Sequence, residues 1–290
     1  MPSSRDIRRR IKSVTSTAQI TRAMQMVAAS KMGRAQEATL TARPFAQLLY
    51  RIQRQATTHA GDFTHPLLEV RPGRKKAVIL FGTDKGLCGA LNSNLFRLVD
   101  QLDPATTRFI AVGKRAAQFV ALTGRQLVAE FGSSDAPQFE EARPIATLAR
   151  DLYLKGEVDQ VQVVATRFIN TLTQQAGVFE FLPIGEIKAL KIPGAQPPED
   201  LDADVTQFLF ESSAGEVLGY LFGHYLNIYV YFVMLEGSAS EQSARMVAMK
   251  NATDNATRLI GDLTLGYNHL RQGNITKELL EIAGGQLGND

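Results

Sequence analysis

The sequence predicts an α/β fold joined to a coiled coil. An antiparallel two-helix coiled coil is built from the N- and C-terminal helices, and a central α/β domain of mainly parallel sheet lies between them in the chain. Three observations predict it. A 4-3 spacing of inward-type residues runs from Ile7 to Ala35, a matching 3-4 spacing runs from Met249 to Leu270, and the middle alternates strand-like and helix-like segments. The expected boundaries are 1–57 for the first helix, 74–204 for the α/β domain and 205–290 for the last helix.

The first helix has Ser3 or Ser4 to cap it and Asp6 in its first turn, where a carboxylate suits the helix dipole. Between Ser4 and Gln55 only Gly33 and Pro44 interrupt a run dominated by good helix formers. The seam is Ile7, Ile11, Val14, Ala18, Thr21, Gln25, Ala28, Met32 and Ala35. Much of it is small or polar, so it packs closely without strong hydrophobic grip. Ile20, Met24 and Val27 form a second stripe beside it, and one partner helix cannot cover both. Pro44 removes the backbone bond toward Leu40, yet Leu48, Leu49 and Ile52 keep the helical period. The helix is therefore expected to continue past Pro44 with a kink.

In the middle, strands are expected at Lys75–Gly82, Arg108–Gly113, Gln126–Phe131, Val161–Ala165 and about Gly177–Pro183. Helices are expected at Asn92–Leu102, Arg115–Leu122 and Phe139–Leu154. Lys191–Asp204, with three prolines and four acids, reads as a solvated loop. The apolar stretch Tyr220–Leu235 is too short to span a bilayer and carries His224 and Asn227, so it reads as a buried or partner-covered helix. The last helix keeps its seam through Met249, Ala252, Ala256, Leu259, Leu263, Gly266 and Leu270, and continues after a phase slip at Ile275, Leu279 and Ile282.

Net charge is only +3, but it is unevenly spread. Residues 1–56 hold eleven Lys/Arg against Asp6 and Glu37. That segment suits a solvated face, an acidic protein partner or nucleic acid. Its bases alternate with apolar residues rather than aromatics, which argues against nucleic acid. One cysteine, Cys88, excludes an internal disulfide and a Cys-based zinc site. His59, His65, His224 and His269 lack metal-ligand spacing and show no pairing with Cys88, so no catalytic, cofactor or metal residue is assigned.

Gly82–Gly89, GTDKGLCG, follows a strand and precedes a helix, where phosphate loops sit. It matches neither G-x-x-x-x-G-K-[ST] nor G-x-G-x-x-G. A tight connection needing glycine for positive φ, a partner-contact loop and a nucleotide site all remain open. Two wider alternatives follow: a coiled-coil adaptor for acidic proteins, and a nucleotide-binding α/β enzyme.

Four blocks carry a family resemblance. They are IRRRIKSVTSTAQITRAMQMVAASKM (Ile7–Met32), TDKGLCGALNSNL (Thr83–Leu95), ARMVAMKNATDNA (Ala244–Ala256) and YNHLRQGNITKELLEIAGG (Tyr267–Gly285). In themselves and in their order they resemble the gamma subunit of F-type ATP synthases, across essentially the whole chain. The resemblance implies a Rossmann-like base domain and a central rotor stalk that couples ion flow through the membrane to conformational change at catalytic beta subunits. It implies a non-catalytic subunit with no cofactor, present once per complex. Its implied partners are the alpha and beta subunits of the F1 hexamer, the epsilon subunit and the c-ring of Fo, and no nucleic acid.

The resemblance also implies residue roles. Met24 lies in the block facing an acidic beta-subunit loop. Arg271, Gln272, Thr276 and Glu278 match the block that meets a second beta-subunit loop. Thr83, Asp84, Lys85 and Gly86 begin the base-domain loop. The cysteine-bearing insertion of chloroplast-type subunits is absent, and the first residues lack the apolar stretch of a signal peptide. A bacterial-type subunit is expected, peripheral on the cytoplasmic face of the inner membrane.

Overall fold

The computed structural model describes residues 3–59, 64–184 and 214–286. Its elements, in chain order, are α1 (Ser4–His59), β1 (Lys76–Phe81), α2 (Leu91–Asp100), β2 (Thr107–Val112) and α3 (Lys114–Leu122). There follow β3 (Gln126–Phe131), α4 (Phe139–Leu154), β4 (Gln160–Phe168), β5 (Gln174–Leu182) and α5 (Ala214–Gln286). The chain divides into a sheet unit, Ala28–Arg245, and a helical unit, Met1–Val27 with Met246–Asp290. The expected loop Lys191–Asp204 lies outside the described residues.

In the sheet unit the strands run in the order β3-β2-β1-β4-β5. β1, β2, β3 and β4 are parallel, and β5 pairs antiparallel with β4. β1 is a near-continuous apolar run because both of its faces are covered, and β4 is buried from Val163 to Thr166 for the same reason. Alternate residues divide between two cores. Ala77, Ile79, Phe81, Ile110, Val112, Val161 and Val163 join one core with α4, with Ala46 and Leu49 of α1, and with α5. Val78, Leu80, Phe109, Ala111 and Val164 join the other with α2 and α3. The β5 register follows from the tight turn at Asn170, whose Oδ1 accepts from Leu172 N and Thr173 N at 2.9 Å.

The stretch Tyr220–Leu235 of α5 is a core helix. Phe222, Leu226, Ile228, Val230, Phe232 and Leu235 are almost wholly buried, and Phe181 and Phe139 pack on Tyr229 and Tyr231. α5 contains a window apolar enough to cross a membrane by composition, but most of that window is buried within the protein. α1 runs through Pro44 as one helix, and Ala46 and Leu49, both buried in the core just past the proline, hold it there.

In the helical unit the two helices run antiparallel. Thr21 and Thr253 share a hydroxyl–hydroxyl bond of 2.7 Å, and Arg8 Nη2 donates to the Tyr267 hydroxyl at 2.6 Å. On α1 the seam from Ile7 to Ala35 is buried or half-buried at every position named above. On α5 the observed inward set is Met249, Ala252, Thr253, Ala256, Ile260, Leu263, Tyr267 and Leu270. Two positions of the expected seam therefore sit one residue later than the apolar pattern implied. Leu259 and Gly266 are exposed while Ile260 and Tyr267 turn inward. At 3.6 residues per turn, i+3 and i+4 both fall near the seam, and cross-helix hydroxyl partners favour the later one.

Candidate functional site

Two surfaces carry the residues singled out in the sequence, and each belongs to one unit. In the helical unit, Ser3 caps α1: its Oγ accepts from Asp6 N at 3.2 Å, and Asp6 Oδ2 accepts from Ser3 N at 3.3 Å. The Ser3 bonds hold the Asp6 carboxyl below its usual range. Arg5, Arg9, Arg10, Lys12 and Arg22 are exposed along the same helix, so the positive charge faces outward. Met24 is half-buried at the seam edge, beside exposed Ile20 and Val27 at 60% and 55%. One partner helix leaves Ile20 and Val27 uncovered and covers Met24 only in part, as the width of the two stripes required.

Further along α5, Arg271, Gln272, Thr276 and Glu278 are all exposed. Following the Arg8–Tyr267 rung one turn further brings the start of α1, so α5 leaves the pair at about Arg271. Every described side chain from Arg271 to Leu280 is exposed, including Ile275, Leu279 and Leu280 at 46%, 61% and 68%. Thr276 spends its hydroxyl on Gln272 O at 3.0 Å. Met24 is not part of this group. It lies roughly 30 Å down the pair at ~1.5 Å per residue.

In the sheet unit, Thr83–Gly86 opens the loop after β1. Thr83 Oγ1 donates to Lys85 O at 2.7 Å, and Asn92 Nδ2 donates to Thr83 Oγ1 at 2.7 Å, tying the loop to α2. Asp84 Oδ1 accepts from Lys114 N at 2.9 Å, so it caps α3, whose own N-cap Gly113 has no side chain to offer. Gly82 is glycine because a Cβ there would meet Ala116 Cβ at 2.9 Å; positive φ in this loop falls on Gly89, at 61°, and on the non-glycine Leu87, at 62°. Cys88 is buried, and burial pushes its thiol up, which opposes a nucleophilic role.

The loop lies at the carboxyl ends of the strands beside the point where strand order reverses, between β1 and β4. Doubly wound sheets seat nucleotides in that crevice. Here Met234, Gly237, Ser238 and Glu241 of α5 close over Thr83, Ser133 and Thr166, leaving a cavity of about 20 Å³. That is the scale of one water, whereas ligand pockets run to ~300 Å³ or more. The geometry therefore favours the structural reading of the glycine loop. Among the described residues, no group of three or more His, Cys, Asp or Glu is placed to hold a metal ion.

Sequence reasoning missed the polar clasp that fastens this loop to both long helices. Asp135, between β3 and α4, accepts from Lys31 Nζ of α1 at 2.5 Å and from Gln242 Nε2 of α5 at 3.1 Å. Its carbonyl accepts from Ser238 Oγ at 3.0 Å, and Lys85 Nζ lies 3.7 Å from its carboxylate. The Lys31 bond holds the Asp135 carboxyl below its usual range. Arg245, buried on α5, donates to Gly86 O at 3.3 Å and to Glu241 at 2.5 Å. Apart from Glu241 and Arg245, one helical turn apart on α5, these partners are far apart in sequence, so no periodicity could reveal them.

An antiparallel pair of long helices in one unit, and in the other a doubly wound domain whose ligand crevice is filled by its own helix, define a coiled-coil plus α/β protein whose strand-end crevice is closed. Residues 3–287 match the profile of the family described as ATP synthase. The chain is 44% identical to the ATP synthase gamma chain of Opitutus terrae over 99% of this chain and 98% of that one. It is 41% identical to the ATP synthase gamma chain of Methylacidiphilum infernorum, over 99% of each chain. Among solved structures, the central stalk/c-ring structure of Tetrahymena thermophila mitochondrial ATP synthase matches with TM-score 0.58 and 25% identity, over 80% of this chain and 99% of that one. The rotor structure of Euglena gracilis mitochondrial ATP synthase matches in fold with TM-score 0.64 and 19% identity, over 94% and 98%. The chain belongs to the ATP synthase gamma chain family.

Proposed function

We propose that the chain is the central rotor stalk of an F-type ATP synthase, coupling ion flow through a membrane c-ring to conformational change at catalytic beta subunits. Its near-full-length identity to gamma chains supports this reading. The structural observation that carries it is the end of α5. From Arg271 to Leu280 a single helix projects with all its described side chains exposed, apolar ones among them, as a shaft end inside a sleeve requires. The subunit is non-catalytic, sits once in the alpha–beta hexamer, binds epsilon and the c-ring, and lies peripherally on the cytoplasmic face of the membrane. Of the segments 1–57, 74–204 and 205–290, the paired parts of the first and last serve as shaft, and 74–204 serves as base together with Ala46, Leu49 and the Leu218–Leu235 stretch that share its core.

In this reading Met24 contacts an acidic beta loop loosely. A flexible thioether slides where a charged group would lock. Arg271, Gln272, Thr276 and Glu278 make polar contacts that only some rotor angles allow, and Thr83–Gly86 keeps the base loop fixed. The deciding experiment is reconstitution with alpha and beta subunits, followed by paired measurement of ATP hydrolysis and ion pumping. Assembly with coupled turnover is expected, and a chain that never joins the complex refutes the reading. Met24→Lys should lower the pumping-to-hydrolysis ratio more than assembly, because the ammonium forms a charge-assisted bond worth ~1.5–3 kcal/mol to a carboxylate. Arg271→Ala and Gln272→Ala should lower turnover with the complex intact. Unchanged ratio and rates would remove these residues from the contact.

A further inference from the structure

The groove between α1 and the β3–α4 loop carries nothing to say what fills it. The crevice beside Thr166 holds only about 20 Å³. The helical unit carries an inference further, because its seam is weak where its end must be stiff.

Along α1 the seam beyond Ile11 passes through Val14, Ala18, Thr21 and Gln25, and facing it on α5 are Thr253, Ala256 and Ile260. Such residues bury little area, and helix ends fray first. Near the start of α1, Ile7 is buried and Ile11 only half-buried. Against that background one contact stands out. The Arg8 guanidinium donates to the Tyr267 hydroxyl at 2.6 Å, and its carbon lies 5.4 Å from the ring centroid. One side chain thus holds the other both by a charge-assisted hydrogen bond and by cation–π attraction. It sits one turn before α5 leaves the pair.

We propose that Arg8 and Tyr267 are positioning residues: a clamp that pins the first turns of α1 to α5 and so fixes, at about Arg271, where the two-helix shaft ends and the single helix begins. A sideways load on the exposed end of α5 then passes into both helices instead of bending one. The functional value of the clamp rests on the rotor reading, whereas its existence does not.

Amide hydrogen exchange on the purified full-length chain tests it. The readout is the peptide covering residues 4–14 of α1. Tyr267→Phe keeps the ring and removes only the hydroxyl, on the other helix. It should speed exchange in that peptide about fivefold, since the lost bond is charge-assisted but exposed to water, which weakens it. Arg8→Ala should speed it about tenfold or more, although alanine is the better helix former, because both parts of the contact go. Arg8→Lys should recover part of the protection, since a point charge keeps the cation–π attraction and one donor. The proposal is overturned if Tyr267→Phe leaves exchange in 4–14 unchanged, or if Arg8→Ala slows it as helix propensity alone demands. Because no partner subunit is needed, failure here leaves the rotor reading standing, and failure of reconstitution leaves the clamp standing.

Discussion

α5 is one helix in two environments. From Leu218 to Leu235 most residues are buried, among them Phe222, Phe232, Leu226 and Leu235, in a core shared with the sheet and α4. From Met249 to Leu270 only one residue in three or four turns inward, and several of those are Thr, Ala or Tyr. After Leu270 no described side chain is covered. The same backbone is therefore held by hydrophobic burial at one end and by a few specific polar contacts at the other. Stability resides in the first region. Alignment is specified by the second, where close fit and low grip suit a part that works inside other subunits.

The largest expected effect lies in the sheet unit. Phe232→Ala empties a site that is 1% exposed and should cost about 3–5 kcal/mol in denaturant unfolding. A cost near that of a surface change would mean that α5 is not held by this core. Next comes Glu236, buried at 8% exposure near Arg167 and Tyr229. Burial pushes its carboxyl up to about 7 from 4.5, with Arg167 partly opposing the rise. The folded state then holds the proton more tightly than the unfolded state, so stability falls as pH rises from about 4.5 to about 7. Glu236→Gln should gain roughly 2–3 kcal/mol above pH ~7 and nothing below pH ~4. Equal stability curves for the two proteins would refute the burial argument.

In the helical unit the effects shrink. Thr21→Val removes the bond to Thr253, but Thr253 keeps its bond to Met249 O at 2.9 Å. The loss should be about 0.5–1 kcal/mol, read as faster exchange near residue 21 with little change in the unfolding midpoint. Arg271→Ala is the smallest change for the fold, within about 0.5 kcal/mol, because its side chain is exposed beyond the paired region. Its effect should appear only in turnover of the assembled complex. A marked loss of stability would show that the end of α5 is held by contacts within this chain.

The strands, the helices of the α/β domain and the continuity of both long helices were legible in the sequence because each depends on local periodicity. KAVILF must be a strand buried on both faces, and a 4-3 run of this length must be a paired helix. The uncovered stripe Ile20–Val27 was legible for the same reason, since its width exceeds what one partner covers. Tertiary structure alone decided three matters. It chose Ile260 and Tyr267 over Leu259 and Gly266, because a helix places both alternatives near the seam and only the facing residues distinguish them. It filled the crevice at the strand ends with Met234, Ser238 and Glu241, residues about 150 positions from the glycine loop they cover. It also gathered Lys31, Lys85, Asp135 and Gln242 into one clasp. A hydrogen bond between distant residues leaves no period in either stretch of sequence, so only the folded chain could bring it to light.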